Sequence, residues 1–304
     1  MVNQMPTQTS FKSGFVSLIG PPNTGKSTLL NRIIGQKISI ISPKPQTTRN
    51  RILGIWHGDS SQIIFFDTPG IHRASKKLNQ RMLQTALKTL GESDLILILI
   101  DTSPPAFEDP DEKMMMDHIK TIRIPVFLII NKIDLVPKPR ILELIDIYKD
   151  FFPFAEIIPV SALTGENCSD LIRTVIRYLP SGPPYYPEEM VTDQTERFMA
   201  SELIREKLIL LTRQEIPYVV AVIIDEMTED PETDLVRIMA TIIVEKESQK
   251  GIIIGSGGKK LKDIGQKARH EIERLVGKQV YIKLWVKVAR NWRDSELRLK
   301  QIGY

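Results

Sequence analysis

The sequence predicts two successive folds: an α/β domain built on a mostly parallel sheet with helices on both faces, then a smaller α+β module. Three observations carry this. From Gly14 to about Leu179, short apolar runs alternate with helical patterns. Strands apolar along their whole length are those that crossover helices bury on both sides. The stretch Leu179-Pro180-Ser181-Gly182-Pro183-Pro184-Tyr185-Tyr186-Pro187 then interrupts every regular pattern, because proline lacks an amide donor and restricts its neighbours. Finally the charge changes: residues 241–304 hold 15 Lys or Arg against 7 Asp or Glu, in a chain whose net charge is only +4. The expected organisation is a flexible start over residues 1–12, the α/β domain over 13–180, a linker over 181–193 and the α+β module with its tail over 194–304.

Taken in order, the predicted strands of the first domain are Phe15 to Ile19, Gln62 to Phe66, Leu95 to Ile100, Val126 to Ile130 and Ile157 to Val160, with a helix opening at about Gly25. The second module is predicted to start with a helix from about Thr195 to Thr212. Strands Tyr218 to Ile224 and Leu235 to Val244 follow, then a helix from Ser248 to Ile254 and a glycine-rich turn. A long helix from Lys259 to Val276 and a strand from Val280 to Val288 complete it. At 304 residues there is room for two hydrophobic cores. The basic terminal third suits a polyanion partner or a solvated charged surface.

Several classes are disfavoured. A lone Cys168 gives no disulfide framework within the chain, fits a reducing cytoplasm and reads as an inert helix residue. No apolar run approaches the ~18 residues of a membrane span, and Met1 to Ser13 has no apolar signal core. Without long heptads or an apolar anchor, a membrane-remodelling role is disfavoured. His57, His72, His118 and His270 are dispersed, and no Cys/His metal set points to an RNA-modifying enzyme.

Gly20-Pro21-Pro22-Asn23-Thr24-Gly25-Lys26-Ser27-Thr28 follows a predicted strand and opens a helix, the context that a phosphate-binding loop requires. Its glycines let backbone N–H groups converge on phosphate oxygens, and the helix N-terminus adds positive charge. Lys26 is expected to reach the β- and γ-phosphates, and the Ser27 hydroxyl to coordinate Mg²⁺. Asp67-Thr68-Pro69-Gly70 ends the next strand, where Asp67 can hold Mg²⁺ through water and the Gly70 N–H can meet the γ-phosphate. Asn131-Lys132-Ile133-Asp134 ends the Val126 strand. The Asp134 carboxylate can accept bonds from guanine N1–H and N2–H₂, a discrimination worth as much as ~10⁴-fold against adenine. Ser161-Ala162-Leu163 ends the last strand, with the Ala162 N–H expected on guanine O6. Motifs in this order, each at the carboxyl end of a strand, predict a P-loop GTPase domain with one site for GTP or GDP.

Between the first two motifs, Ile38 to Arg51 resembles a first switch loop, in which Thr48, or its neighbour Thr47, reaches Mg²⁺. Ile71 to Gln80 would be the second switch. Ile71 stands where many GTPases place a water-orienting Gln, so slow intrinsic turnover is expected, with help from a partner, a cation or the backbone. The catalytic candidates are therefore Lys26, Thr48, Gly70 and Asn23. Asn23 either holds a potassium ion or only shapes the turn.

In the second module, Ile254-Gly255-Ser256-Gly257-Gly258 joins two helical patterns, with Lys259, Lys260 and Lys262 directly after it. This resembles a KH module of type II, whose Gly-x-x-Gly turn brings backbone close to nucleotide phosphates. The turn interior carries no basic residue, so the three lysines must supply the charge and salt dependence should be strong. Further on, Lys287, Arg290 and Trp292 are candidate RNA contacts. Trp285, on the strand, reads as core; Trp292 reads equally as core or as a stacking surface.

The whole chain resembles the Era family of GTPases. The likeness rests on Gly20 to Thr28, Gln46-Thr47-Thr48-Arg49, Asp67 to His72, Asn131 to Asp134, Gln194 to Lys207, the Gly255 turn and Leu284-Trp285-Val286-Lys287-Val288. It departs from the family at Pro21, usually basic there, and at Gly257. The resemblance implies binding near the 3′ end of 16S ribosomal RNA, a role in assembly of the 30S subunit and GTP hydrolysis accelerated by RNA. It also implies peripheral contact with the inner membrane face; a monomer is expected. GTP would order both switches and free the RNA groove, and hydrolysis would end the ribosome-bound state. The competing reading is an RNA-binding adaptor that uses nucleotide only for support, or a GTPase acting on another RNA.

Overall fold

A computed structural model describes residues 10–70, 76–104 and 110–304. The chain divides into two compact units. The first comprises Met1–Lys37, Arg51–His72 and Thr85–Asp193; the second comprises Ile38–Asn50, Arg73–Gln84 and Gln194–Tyr304.

In chain order the first half forms β1 (Lys12–Ile19), α1 (Lys26–Ile34), β2 (Ile52–Gly58), β3 (Ser61–Asp67), α2 (Lys77–Leu90), β4 (Leu95–Ile100), α3 (Pro110–Ile119), β5 (Val126–Ile130), α4 (Lys138–Lys149), β6 (Glu156–Pro159) and α5 (Cys168–Tyr178). The six-stranded sheet has the order β2-β3-β1-β4-β5-β6. Only β2 runs antiparallel, paired with β3; all other pairs are parallel. Connections leave β1 and β4 in opposite directions, which opens a crevice beyond their carboxyl ends. β3, β4 and β5 are buried along their whole length; β4 and β5 are apolar throughout, whereas β3 also buries Ser61, Gln62 and Asp67.

β2 was not anticipated. It meets β3 through Asp59-Ser60, a tight connection without the Asn-Gly or Asp-Gly pair that marks such hairpins. The proline-rich stretch is also more than a connector. The Tyr185 and Tyr186 amides donate to Gln62 Oε1 (2.7 and 3.1 Å), Thr192 Oγ1 donates to the Leu53 carbonyl (2.6 Å), and Ile55 N donates to the Val191 carbonyl (2.9 Å). Tyr186 and Met190 pack on Leu53, Ile55, Ile64 and Phe66. This strap covers the β2–β3 part of the first unit and satisfies Gln62, a fully buried amide.

The second half forms α6 (Glu196–Leu211), α7 (Ile216–Val219), β7 (Ala221–Asp230), β8 (Leu235–Val244), α8 (Glu247–Ile254), α9 (Lys259–Val276), β9 (Gln279–Val288) and α10 (Glu296–Ile302). Thr195 caps α6 by accepting a bond from the Phe198 amide. β7 pairs antiparallel and β9 parallel with the central β8. One face of this sheet packs against Leu203, Ile204 and Leu208 of α6 and Ile264, Ala268 and Ile272 of α9. The strand predicted from Tyr218 starts later, at Ala221, because Pro217 opens the short helix α7 instead. α10 was not anticipated. Among the described residues, no helix is long and apolar enough to cross a membrane.

Candidate functional site

The phosphate loop leaves β1 at Gly20, whose φ of 145° and close approach to β4 admit no side chain: a Cβ there would lie 2.2 Å from the Leu99 carbonyl oxygen. Gly25 is equally constrained, since a Cβ would lie 2.2 Å from Asn131 Nδ2. That amide donates to the Thr24 carbonyl (2.8 Å), tying the phosphate loop to the end of β5. Asn23 adopts φ 65°, a left-handed conformation open to asparagine, and Thr24 Oγ1 closes the turn on the Pro21 carbonyl (3.0 Å). Lys26 is buried at the start of α1 and donates to the Gly20 and Pro21 carbonyls (2.9 and 2.8 Å). Burial lowers its ammonium to about 8, with the nearby Asp67 opposing.

Ser27 Oγ donates to Asp67 Oδ2 at 2.6 Å, so the helix start and the end of β3 present a hydroxyl and a buried carboxylate together. Thr68 Oγ1 donates to the Leu18 carbonyl (2.9 Å), and Gly70 approaches Pro22 so closely that a Cβ would sit 3.3 Å from its ring. Hard oxygen donors at this spacing suit a small divalent cation such as Mg²⁺. Pro69 joins these contacts in sequence; Ile71, and with it the expected lack of a water-orienting side chain, lies outside the described residues, as do His72 and residues 1–9.

At the far end of the crevice, Asn131 Oδ1 accepts from the Ala162 amide (2.9 Å), and Ser161 Oγ donates to Asp134 Oδ1 (2.6 Å). Asp134 is exposed and poised by that bond, whereas Ile133 is buried and Leu163 is exposed. The Ala162 N–H expected on guanine O6 is thus already engaged with Asn131, so a base would have to share it.

The Ile38–Asn50 segment belongs to the second unit. Thr47 Oγ1 donates to the Lys44 carbonyl (2.7 Å) and lies 2.6 Å from Ser42 Oγ, so its hydroxyl is committed to the turn; Thr48 is half-buried. Arg49 is buried and donates to the carbonyls of Val220 (2.7 Å), Pro217 (3.2 Å) and Tyr218 (3.3 Å).

In the same unit, Ile254 ends α8 and Gly255 (φ 70°) turns the chain; a Cβ there would lie 2.8 Å from Lys260 Cβ. Gly257 and Gly258 also have positive φ, and Ser256 and Gly257 are exposed at the tip. Lys259 and Lys262 are exposed and Lys260 half-buried on the first turn of α9. Lys287 and Arg290 are exposed near the end of β9. Trp292 has to be removed from the RNA candidates. It is fully buried against Ala221, Ile243 and Leu299, stacks on Tyr304 at 6.0 Å and donates its indole N–H to the Val219 carbonyl (3.0 Å). Trp285, expected in the core, is 42% exposed.

A family model described as a 50S ribosome-binding GTPase matches residues 15–132, and one described as a KH domain matches residues 215–293. GTPase Era of Syntrophus aciditrophicus (strain SB) is 49% identical over 294 residues, covering 97% of this chain and 95% of that protein. The chain belongs to the Era family of GTPases. It is accordingly a GTP-hydrolysing enzyme. A crystal structure of an Aquifex aeolicus Era variant bound to GDP and aluminium fluoride matches with a TM-score of 0.93 at 43% identity, over 97% of this chain and 99% of that one. A crystal structure of Era with MgGDPNP and nucleotides 1506–1542 of 16S ribosomal RNA matches to the same degree.

Sequence reasoning missed several groups that brace this Era-type crevice. Arg32 of α1 donates to the Ala162 carbonyl (3.2 Å) and to that of Leu163, holding the base-side loop. Asp101 lies 3.0 Å from Lys132 Nζ. Burial pushes its carboxyl up, but hydrogen bonds from Ser103 and Lys132 outweigh that and hold it below the usual range. Its place at the carboxyl end of β4 was the available signal.

Proposed function

We propose that this Era family member is a GTP-driven switch that binds 16S ribosomal RNA near its 3′ end and assists assembly of the 30S subunit. The observation that carries the reading is the pairing, in one chain, of a guanine-nucleotide crevice with a lysine-flanked Gly255 turn, in a fold that matches the RNA-bound Era over nearly its whole length. In this reading Lys26 neutralises the β- and γ-phosphates, Asp134 selects guanine, and the backbone of Gly20 to Thr28 and of Gly70 cradles phosphate oxygens. Ser27, Asp67 and Thr48 would hold Mg²⁺, with Thr47 as the alternative to Thr48. When bound, Mg²⁺ supplies positive charge against the phosphates. Ile254 to Lys260 and Lys262 receive the RNA backbone, and Lys287 and Arg290 are further RNA contacts.

Crosslinking the protein to RNA in cells and sequencing the fragments tests the purpose. Enrichment at the 3′ end of 16S RNA is expected; enrichment on large-subunit RNA would move the site of action to the 50S particle and overturn the assignment. The coupling between nucleotide and RNA requires RNA affinity to differ between GDP and a non-hydrolysable GTP analogue. Potassium stimulation through Asn23 belongs to the same proposal, and equal turnover in potassium and sodium removes it. A monomeric state, a cytoplasmic location and peripheral contact with the inner membrane face rest on the family likeness; co-sedimentation with anionic vesicles tests the last.

A further inference from the structure

Among the described residues β9 is an edge strand, paired with β8 alone. Its residues alternate strictly. Val280, Ile282, Leu284, Val286 and Val288 face the helices and belong to the core beneath α6 and α9. Tyr281, Lys283, Trp285 and Lys287 therefore stand together on the opposite face. Tyr281 is 46% and Trp285 42% exposed, and Lys283 Nζ lies 5.0 Å from the Trp285 ring centroid. The parallel register places Arg237 beside Tyr281 and Thr241 beside Trp285. Past Lys287 the row runs into a cavity of about 520 Å³, lined by Lys287, Arg290, Arg298 and Gln301, with Glu247 as its one acid.

Acidic groups on this face stem from β7, two strands from β9, and their carboxylates lean onto the central β8. There Asp225 accepts from Thr241 (2.6 Å), and Asp230 lies 3.6 Å from Arg237. The face is thus divided, with cations and aromatic rings along β9 and carboxylates from β7 over β8. Tyr281 and Trp285 are four residues apart, about 13 Å along a strand. They can hold two different bases of one extended strand but not the two faces of one base. A duplex keeps its bases stacked inside and offers no such rings a surface. A protein partner is a poorer fit, because lysines interrupt every aromatic contact and lysine is depleted from interface cores.

We infer that the outer face of β9 is a second track for single-stranded RNA, separate from the Gly255 turn. Tyr281 and Trp285 are base-stacking platforms there, and Lys283, Lys287, Arg290 and Arg298 are phosphate contacts. The inference rests on the RNA-binding reading above and places Lys287 and Arg290 on this track.

The test measures binding of full-length protein to a labelled RNA of the 16S 3′ end, using four double variants. Tyr281→Ala with Trp285→Ala should weaken binding roughly ten- to a hundredfold at an unchanged melting temperature. Tyr281→Phe with Trp285→Phe should restore it, since stacking needs only the ring. Lys283→Gln with Lys287→Gln should lower the salt slope by about 1 to 2. If wild-type protein fails to bind the RNA, the RNA reading itself falls. If wild type binds, Lys259→Ala with Lys260→Ala weakens it and the double aromatic variant binds normally, only the second track is overturned. Loss of a ribosomal-protein crosslink at unchanged RNA affinity would assign the face to a protein and overturn it as well.

Discussion

Lys26 shows how far a single charge depends on its surroundings. Burial lowers its ammonium from 10.5 to about 8; a phosphate beside it favours the charged form and raises it again. Nucleotide binding above pH 8 should therefore take up a proton, and affinity should fall by up to tenfold per pH unit between about 8 and 10. Calorimetry in two buffers of different ionisation enthalpy reads the uptake directly; identical heats would refute it. The fold responds with the opposite sign. A lysine with a depressed folded value adds stability as pH rises from 8 towards 10.5, because the unfolded chain then binds the extra proton. Weaker binding in that window is therefore not unfolding, and a melting curve separates the two. The motif residues at this scale were legible because each sits within a few positions of a strand end. Arg32 and the carbonyls it holds are 130 or more residues apart, and no local pattern joins them.

At the scale of elements, parity decided which predictions held. β8 and α9 have the predicted ends, because long unbroken apolar periodicity leaves little freedom. The two tryptophans exchanged places with expectation. Trp285 shares its strand parity with Lys283 and Lys287, so all three must face one way, and the core takes the other parity. Trp292 sits in a turn that no periodicity describes, and it is buried by residues remote in sequence, among them Leu78, Met82, Ala221 and Ile243. Trp292→Ala should accordingly cost about 3–5 kcal/mol of stability. Trp285→Ala should stay within about 1 kcal/mol. Urea midpoints of the two variants check this, and similar midpoints would refute the assignment of Trp292 to the core.

The molecule as a whole does not divide where the sequence does. Ile38–Asn50 and Arg73–Gln84 cluster with the C-terminal module. Ile40 is buried among α6 and β8 residues, Leu78 and Met82 pack on Trp292 and Leu299, and the Ile41 amide donates to Glu206 Oε1 (3.0 Å). Arg205, paired with Glu202, donates to the Thr47 carbonyl, and Lys76 reaches Asp294 at 2.6 Å. A fragment of residues 194–304 should therefore melt below the same module in the full chain, since each lost apolar side chain removes about 1.5–3 kcal/mol. Differential scanning calorimetry of fragment and full chain checks it, and equal transitions would refute it. Biosynthesis meets the same arrangement as a delay. Ile40 leaves the ribosome some 160 to 200 residues before α6 and β8 follow, a wait of roughly 10–40 s at ordinary elongation rates. Through that interval the nascent chain carries an apolar segment whose permanent cover has not been made, and a chaperone or the ribosome surface has to shield it.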